Sequence, residues 1–438
     1  MSMAVTSAPP ARQRIDALDV LRGFAVCGML LINIPIMGRS VWDIFSNPND
    51  AWTFGEHVQY WIRELFFEGS SRAMFSILFG ASFMLMMSKV MQPSDPVAPV
   101  DVYYRRCCWM MLFGVIHATL LLWPGDILFH YALPGMALFA FRKADPRLLL
   151  GLAAVFMVVL NLVEASEDLK LAKVYRDAQP AIAKQVAGQA LSDAESAAVK
   201  KYQAAKESKS KSNEDYRAEV EARRGYFSSV AFQSNIWVQW LDFDAFGWAL
   251  EAFTFMLIGI ALFKLGILTG ERSVSFYLLL GTVSMLLGIA INFHETWLKV
   301  TTSDAPGVWL DEITYQHGRL AICLGNIGLI IAALKSNLGR IVFRPLQDIG
   351  RMALSNYIGQ SLIAAIVFTG LGMFGKLNNL QLWTLAAGVW VLQAVISRYW
   401  LKHYLMGPME WLWKSLTMWE VQAISRRRQL ALGATVKP

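Results

Sequence analysis

Charge is scarce in this chain. Only 17% of its residues are Asp, Glu, Lys or Arg, against about 25% in an ordinary soluble domain, while 55% are hydrophobic and the mean hydropathy is +0.39. A soluble globular fold is excluded on that balance. Cysteine is scarcer still. Cys27, Cys107, Cys108 and Cys323 are the whole complement of four. They lie in or beside apolar runs without CxxC spacing, so they read as packing residues, with no disulfide framework and no metal site. Several chemical signatures are missing too: Walker A, GxGxxG ahead of a helix, HExxH and GxSxG. No inverted repeat is visible, which weakens a transporter reading.

What is present is a series of apolar runs of roughly 18 to 22 residues. About ten spans are expected, near 17–38, 73–91, 107–124, 127–142, 148–164, 246–265, 274–293, 318–335, 351–374 and 380–400. The fold class is therefore an all-α polytopic membrane protein. Trp42, Trp109, Trp123, Trp248, Trp297 and Trp400 sit near run ends, as interfacial belts require. Residues 56–68 read as a short interfacial helix ahead of the second span.

Basic residues give the orientation. Arg12 and Arg14 precede the first span; Lys89, Arg105 and Arg106 lie between the second and third. Arg142, Lys143 and Arg147, then Lys264 and Arg272, then Lys335, Arg340, Arg344 and Arg351 mark later loops on the same side. Lys402, Lys414 and Arg426 to Arg428 follow the last span. One threading puts all of these in the cytoplasm, with both termini inside. The net charge of +7 thus belongs to membrane topology and not to nucleic acid. Asp19 and Arg22 at the start of the first run argue for a retained helix in place of a signal peptide. Residues 165–230 are rich in Ala, Lys, Glu and Ser and read as a solvated, extracytoplasmic helical insertion. The chain divides into 1–164, carrying the candidate core, the insertion 165–230, a second membrane part 231–405, and a cytoplasmic amphipathic tail 406–438.

Charge inside a membrane helix usually faces a partner or a wet cavity. Arg22 and Asn33 are eleven residues apart, about three turns, and share one helix face. His117 lies within the third span. Pro124-Gly125 breaks the helix before Asp126, and His130 opens the next span. A histidine is the usual general base near neutral pH and a carboxylate its usual orienting partner. On an unbroken helix, nine residues would put His117 and Asp126 on opposite faces, so their contact is left open. Arg351, Ser355, Asn356 and Gln360 in GRMALSNYIGQS, with Glu251 and Asn326, are too polar for a lipid face. They either bond neighbouring helices or wall a site.

The segments RIDALDVLRGFAVCGMLLIN, MFSILFGASF, RRCCWMMLFGVIHATLLLWPGDIL, GRMALSNYIGQS and GPMEWLWKSLT, in this order, resemble the successive signatures of the YeiB family, a bacterial inner-membrane family labelled a domain of unknown function. The first helix is also similar to that of transmembrane acyltransferases, the acyltransferase-3 group and the lysosomal heparan-glucosamine acetyltransferase. Those begin with an LDxxRG-like element and a polar residue eleven positions after the Arg. That residue is typically His in the first group and is Asn33 here. The lysosomal enzyme's His after its first helix has His57 as its candidate counterpart.

The resemblance implies an integral-membrane acyltransferase in the bacterial inner membrane. It would take an acyl group from a cytoplasmic acyl-CoA, as co-substrate with no tightly bound cofactor, to a hydroxyl or amine on a periplasmic glycan, lipid or peptide. Arg22, fixed by Asp19, would hold the donor with Arg105 and Arg106. Asn33 would bond its polar atoms, and His117 with Asp126 would deprotonate the acceptor. His130, Glu251, Asn326, Arg351, Ser355, Asn356 and Gln360 are candidate site walls. A transporter or flippase for an anionic solute or lipid, and a non-catalytic scaffold or sensor, are the alternatives. Membrane lipids are partners on any reading, and a homodimer through the aromatic faces of later spans is a further expectation.

Overall fold

The computed structural model describes residues 16–40, 52–88, 98–207, 213–301 and 309–425. The expected basic flanks Arg12, Arg14, Lys89 and Arg426 to Arg428, and the interfacial Trp42, lie outside them. The described residues are helical with no strand beyond a single bridge between Tyr404 and Ser425. In chain order the helices are α1 (Asp16–Gly38), α2 (Phe54–Ile62), α3 (Ser70–Met87), α4 (Ala98–Thr119), α5 (Leu128–Ala137) and α6 (Pro146–Val186). The insertion contributes α7 (Asp193–Glu207) and α8 (Asn213–Ala222). There follow α9 (Tyr226–Lys264), α10 (Val274–Thr301), α11 (Trp309–Leu334), α12 (Asn337–Val342), α13 (Arg344–Arg351), α14 (Ala353–Ala364), α15 (Asn379–His403) and α16 (Pro408–Met418).

Eight helices among the described residues are long and apolar enough to cross a membrane, and the protein is an all-α polytopic membrane protein. Each of the ten expected runs overlaps a helix among the described residues, but the third and fourth fall short of a full apolar crossing. Helix α4 carries Asp101, Arg105 and Arg106 within its first three turns. Helix α5 and the 3₁₀ turn Leu138–Phe141 after it make only a short apolar helix, Leu128–Phe141. The chain between them, from Leu120 to Ile127, turns inside the bundle.

The insertion is not separate from its flanks. Helix α6 crosses as Pro146–Ser166 and runs on unbroken to Val186, and α9 starts at Tyr226, well before its crossing part Phe246–Lys264. At ~1.5 Å per residue α6 extends about 30 Å past its apolar part. The helix before the second span is Phe54–Ile62, opened by a capping box between Thr53 and Glu56, then a π turn Arg63–Phe67.

Packing puts polarity inside and hydrocarbon outside. Helix α10 turns Leu278, Leu279, Val283, Leu286 and Leu287 outward, and α15 exposes Val391, Leu392, Val395 and Ile396, a lipid-facing pattern. Helix α1 is central and largely buried. Without a hydrophobic drive between helices in lipid, close approach depends on small residues. Gly23 on α1 and Gly350 on α13 supply it: a Cβ at either would collide with a carbonyl oxygen of the other helix, Leu346 or Asp19 respectively. That crossing joins the LDVLRG and GRMALSN segments. Cys27, Cys107 and Cys323 are buried, Cys108 is exposed, and all four are free.

Candidate functional site

Two cavities lie at different depths of the bundle, with a hydrogen-bonded chain of side chains between them. The larger has a volume of about 570 Å³. It opens at the end of the bundle that carries the N-terminus of α1, the start of α4 and helix α16. Its mouth carries Asp19, Arg22, Arg106, Arg351 and Glu410; deeper in, Phe75, Phe79, Phe83 and Met110 make it apolar. From α1 it takes only Leu18, Asp19 and Arg22.

The mouth is organised by charge. Arg22 Nη1 donates to Asp19 Oδ1 at 2.7 Å and Nη2 to Ser82 Oγ at 3.0 Å. Asp19 is buried while Arg22 keeps a quarter of its side chain exposed to the cavity. Arg106 stacks over the Trp413 ring at 3.5 Å, and the Trp413 indole N–H donates to the Arg106 carbonyl at 2.9 Å. Glu410 caps α14, accepting from Leu354 N at 2.7 Å, Ser355 N at 3.1 Å and Ser355 Oγ. Burial pushes its carboxyl above the usual carboxylate range, against those hydrogen bonds. The tail, expected to lie on the surface, therefore turns Glu410 and Trp413 inward as walls of the cavity. An amphipathic pattern alone does not say whether its apolar face meets lipid or protein.

Tyr357 lines the cavity's inner end, and its ring packs edge-on to His117 with centroids 4.8 Å apart. Behind it His117 Nδ1 lies 2.8 Å from Asp126 Oδ1 and Nε2 lies 2.8 Å from Ser361 Oγ. His117 and Asp126 are fully buried and Ser361 is 1% exposed. An ionised carboxylate only accepts, so Nδ1 carries the proton and Nε2 accepts from the serine hydroxyl; the tautomer is assigned from these partners. Asp126 Oδ2 accepts from Phe129 N at 2.8 Å, and the Asp126 carbonyl accepts from His130 Nδ1 at 2.8 Å.

The contact left open by the nine-residue spacing is thus made. Helix α4 stops at Thr119, and the Leu120–Ile127 segment doubles back, with Leu122 in the left-handed region at φ 58°. Gly114 clears the way: a Cβ there would fall 2.6 Å from Asp126 Oδ2. Ser361 was not among the sequence candidates. It closes the GRMALSNYIGQS segment, one position after Gln360 and one helical turn before the π turn Ala365–Gly370 of that span, a feature common at functional sites. A lone helical serine 244 residues from its histidine gives no local signal.

Beyond Ser361 lies the second cavity, about 10 Å³, room for one water. It is lined by Met37, Leu122, Trp123, Arg223, Ser361 and Phe368, among others. Arg223, from the end of the insertion, is buried there. It donates to the Met37 carbonyl at 2.8 Å and stacks on Phe374 at 3.8 Å.

The other sequence candidates fall elsewhere. Arg105 pairs with Asp101 at 2.7 Å and does not line the large cavity; consecutive helical residues point about 100° apart, so only Arg106 faces it. Asn33 is half-buried and lines neither cavity, because the large cavity ends on α1 at the level of Arg22. Glu251 is bound to Arg72 at 2.7 and 3.1 Å, a helix tie between α9 and α3. Asn356 bonds Ile349 O and Ser397 Oγ, both at 3.0 Å, and Gln360 bonds Gln393 at 3.2 Å; both join helices. Asn326 lines neither cavity, His57 packs by Trp52, and His130 sits against Trp248 behind Asp126. Ser355 is occupied by Glu410, and Arg351 lines the mouth. Among the described residues no group of three His, Cys, Asp or Glu side chains is placed to hold a metal ion.

Comparison with known proteins agrees with the signature segments. The chain is 27% identical over 428 residues to the uncharacterized protein YxaH of Bacillus subtilis (strain 168), covering 95% of this chain and 98% of that one. It is 28% identical over 419 residues to the uncharacterized protein YeiB of Escherichia coli (strain K12), covering 93% and 97%. No solved structure matches. Residues 262–420 match the family described as "Protein of unknown function (DUF418)", which takes in Gly350, Ser361 and Glu410 and leaves His117 and Asp126 outside. Together these matches support the YeiB family for this chain, which is similar to YxaH and YeiB over nearly its whole length and carries the DUF418 match in its carboxy-terminal part.

Proposed function

We propose that this protein is an integral-membrane acyltransferase that moves an acyl group from an acyl-CoA to a hydroxyl or amine acceptor on the opposite face of the membrane. The observation that carries the reading is the buried chain Asp126–His117–Ser361 behind a cavity with a cationic mouth and an apolar interior. Arg22 and Arg106 present the donors that phosphates and carboxylates prefer. The phenylalanines suit the thioester-bearing arm. Arg106 and His117 share α4 eleven residues apart, so about 16 Å separates their levels, and a donor held at the mouth must be long to reach the histidine. In this reading the cavity mouth and both termini face the cytoplasm, the insertion faces the periplasm, and the membrane is the bacterial inner one.

His117, oriented by Asp126, serves as general base. Such a group contributes typically 10²–10⁴-fold. Transport would need a continuous polar path, whereas the large and small cavities share no lining residue and fully buried His117 lies between Tyr357 and Ser361. The first test is binding of acetyl-CoA and longer acyl-CoAs to purified protein. Saturable binding that Arg22→Ala abolishes supports the donor site; no binding of any acyl-CoA removes it.

A further inference from the structure

We infer that Ser361 is the nucleophile of a two-step transfer, carrying the acyl group as an ester on its Oγ between the two cavities. This rests on the acyl-transfer reading above and adds to it a covalent intermediate.

Three observations point there. First, Ser361 Oγ occupies the hydrogen-bonding position at His117 Nε2. No outside acceptor can be deprotonated there without displacing it, so the base acts on the serine. Second, Tyr357 lines the large cavity and packs on His117, whereas Ser361, on the other nitrogen of His117, lines the small cavity. The two cavities do not share a lining residue. A donor in one and an acceptor in the other never need to meet if the acyl group waits on the residue between them. Third, the small cavity holds a spare donor. Trp123 is buried at 2% exposure, and its indole N–H makes no hydrogen bond of normal geometry, interacting only with the Tyr357 side chain, which has to move for the first step. A buried donor without a well-placed acceptor is unfavourable. A developing oxyanion next to Ser361 would satisfy it.

The chemistry balances with the acyl-CoA alone. Ser361 Oγ attacks the thioester carbonyl as its proton passes to His117 Nε2. The C–S bond breaks, and that proton goes to the departing sulfur to give the free CoA thiol. An acceptor hydroxyl entering from the small cavity then attacks the acyl ester. Its proton passes through His117 to Ser361 Oγ as the ester C–O bond breaks, restoring the enzyme. Tyr357 must swing aside for the first step, and the Arg223 corner for the second.

The test uses full-length protein in detergent and an alkyl fluorophosphonate, which phosphonylates an activated serine with loss of fluoride. The expected result is one adduct, mapped by mass spectrometry to Ser361, absent from Ser361→Ala and formed at least about 100-fold more slowly by His117→Ala. Trp123→Phe should slow it less, by about 10-fold. Size-exclusion and thermal melting of each variant establish that it is folded. With labelled acyl-CoA, quenching should trap an acyl ester on Ser361 that hydroxylamine releases. No adduct on Ser361 in folded wild-type protein overturns the proposal, as does transfer by Ser361→Ala at the wild-type rate; the latter leaves the acyltransferase reading standing. A Ser361 adduct without any acyl-CoA binding supports the serine and rejects the donor.

Discussion

The carbonyl oxygen of Asp19 occupies the place that a Cβ on Gly350 would need. The backbone of α1 is pressed on α13 at the residue whose carboxylate holds Arg22. Helix contact and cavity mouth are therefore one feature. Gly350→Ala must force the helices apart, and overpacking of this kind costs about 1–3 kcal/mol. The variant should melt earlier in detergent and bind acyl-CoA more weakly, because Arg22 moves with α1. Unchanged melting and binding would sink this account of the crossing.

Within the mouth, the two adjacent arginines of α4 separate by direction. Arg106 lines the cavity and Arg105 pairs with Asp101 on the outside. Arg22→Ala and Arg106→Ala should each raise the Kd for acyl-CoA roughly 10- to 100-fold, the range of one to two charge-assisted hydrogen bonds. Arg105→Ala should leave it within twofold. Equal losses at Arg105 and Arg106 would show that general positive charge, and no built site, attracts the donor.

These assignments also show which parts of the site were readable in the sequence. Spans, insertion and most site elements follow from hydropathy, and the pairing of Asp19 with Arg22 follows from their spacing. His117 and Asp126 could be nominated by type, but their contact depends on the Leu120–Ile127 turn, whose reversal no periodicity encodes. Ser361 was hidden because a serine inside a helix ordinarily bonds its own backbone, and its partner lies in another part of the chain. Asn33 shares a helix with Arg22 but lines neither cavity, because helical phase does not tell how deep a cavity runs. Glu410 was lost in a tail read as a membrane-surface helix.

Glu410 makes the mouth sensitive to pH. Its carboxyl titrates above the ordinary value, so the folded protein holds that proton at pH values where the unfolded chain, near 4.3, has lost it. Stability from this group therefore rises as pH falls through the raised folded value and levels off below the unfolded one. Protonation also removes a negative charge that faces Arg106 across the mouth. Acyl-CoA should bind more tightly at pH 5.5 than at pH 7.5, by a few-fold. Glu410→Gln should flatten that difference; a slope that survives the substitution would assign it to another group.

A second set of charges is structural. Arg319 and Glu295, each 2% exposed, pair at 2.7 Å, and Arg319 stacks over Tyr315 at 3.1 Å. Removing one partner of a buried pair costs about 3–5 kcal/mol, because the other charge is left uncompensated. Arg319→Ala should melt well below wild type. The double variant Arg319→Met with Glu295→Leu should recover most of the loss, and both should keep Ser361 reactive towards the fluorophosphonate wherever they remain folded. Failure of the double variant to recover would give the pair a role beyond holding α10 to α11.

Asp126 accepts on both carboxylate oxygens, from His117 Nδ1 and from Phe129 N. An amide has one acceptor oxygen, so Asp126→Asn cannot serve both donors. If the amide oxygen keeps Phe129 N, the NH₂ group faces His117 Nδ1 and drives the imidazole to the tautomer with its proton on Nε2. That tautomer cannot take the proton of Ser361. If the oxygen keeps His117, the NH₂ group meets the Phe129 N–H and the turn is strained. Either way donor binding at the distant mouth should be unchanged, while acyl transfer and fluorophosphonate labelling both fall by about 10²–10⁴-fold. Asp126→Glu, which restores two acceptors at a displaced position, should recover part of the labelling. Full labelling of folded Asp126→Asn protein would mean that the carboxylate only fills space beside His117, and the serine would need another source of activation.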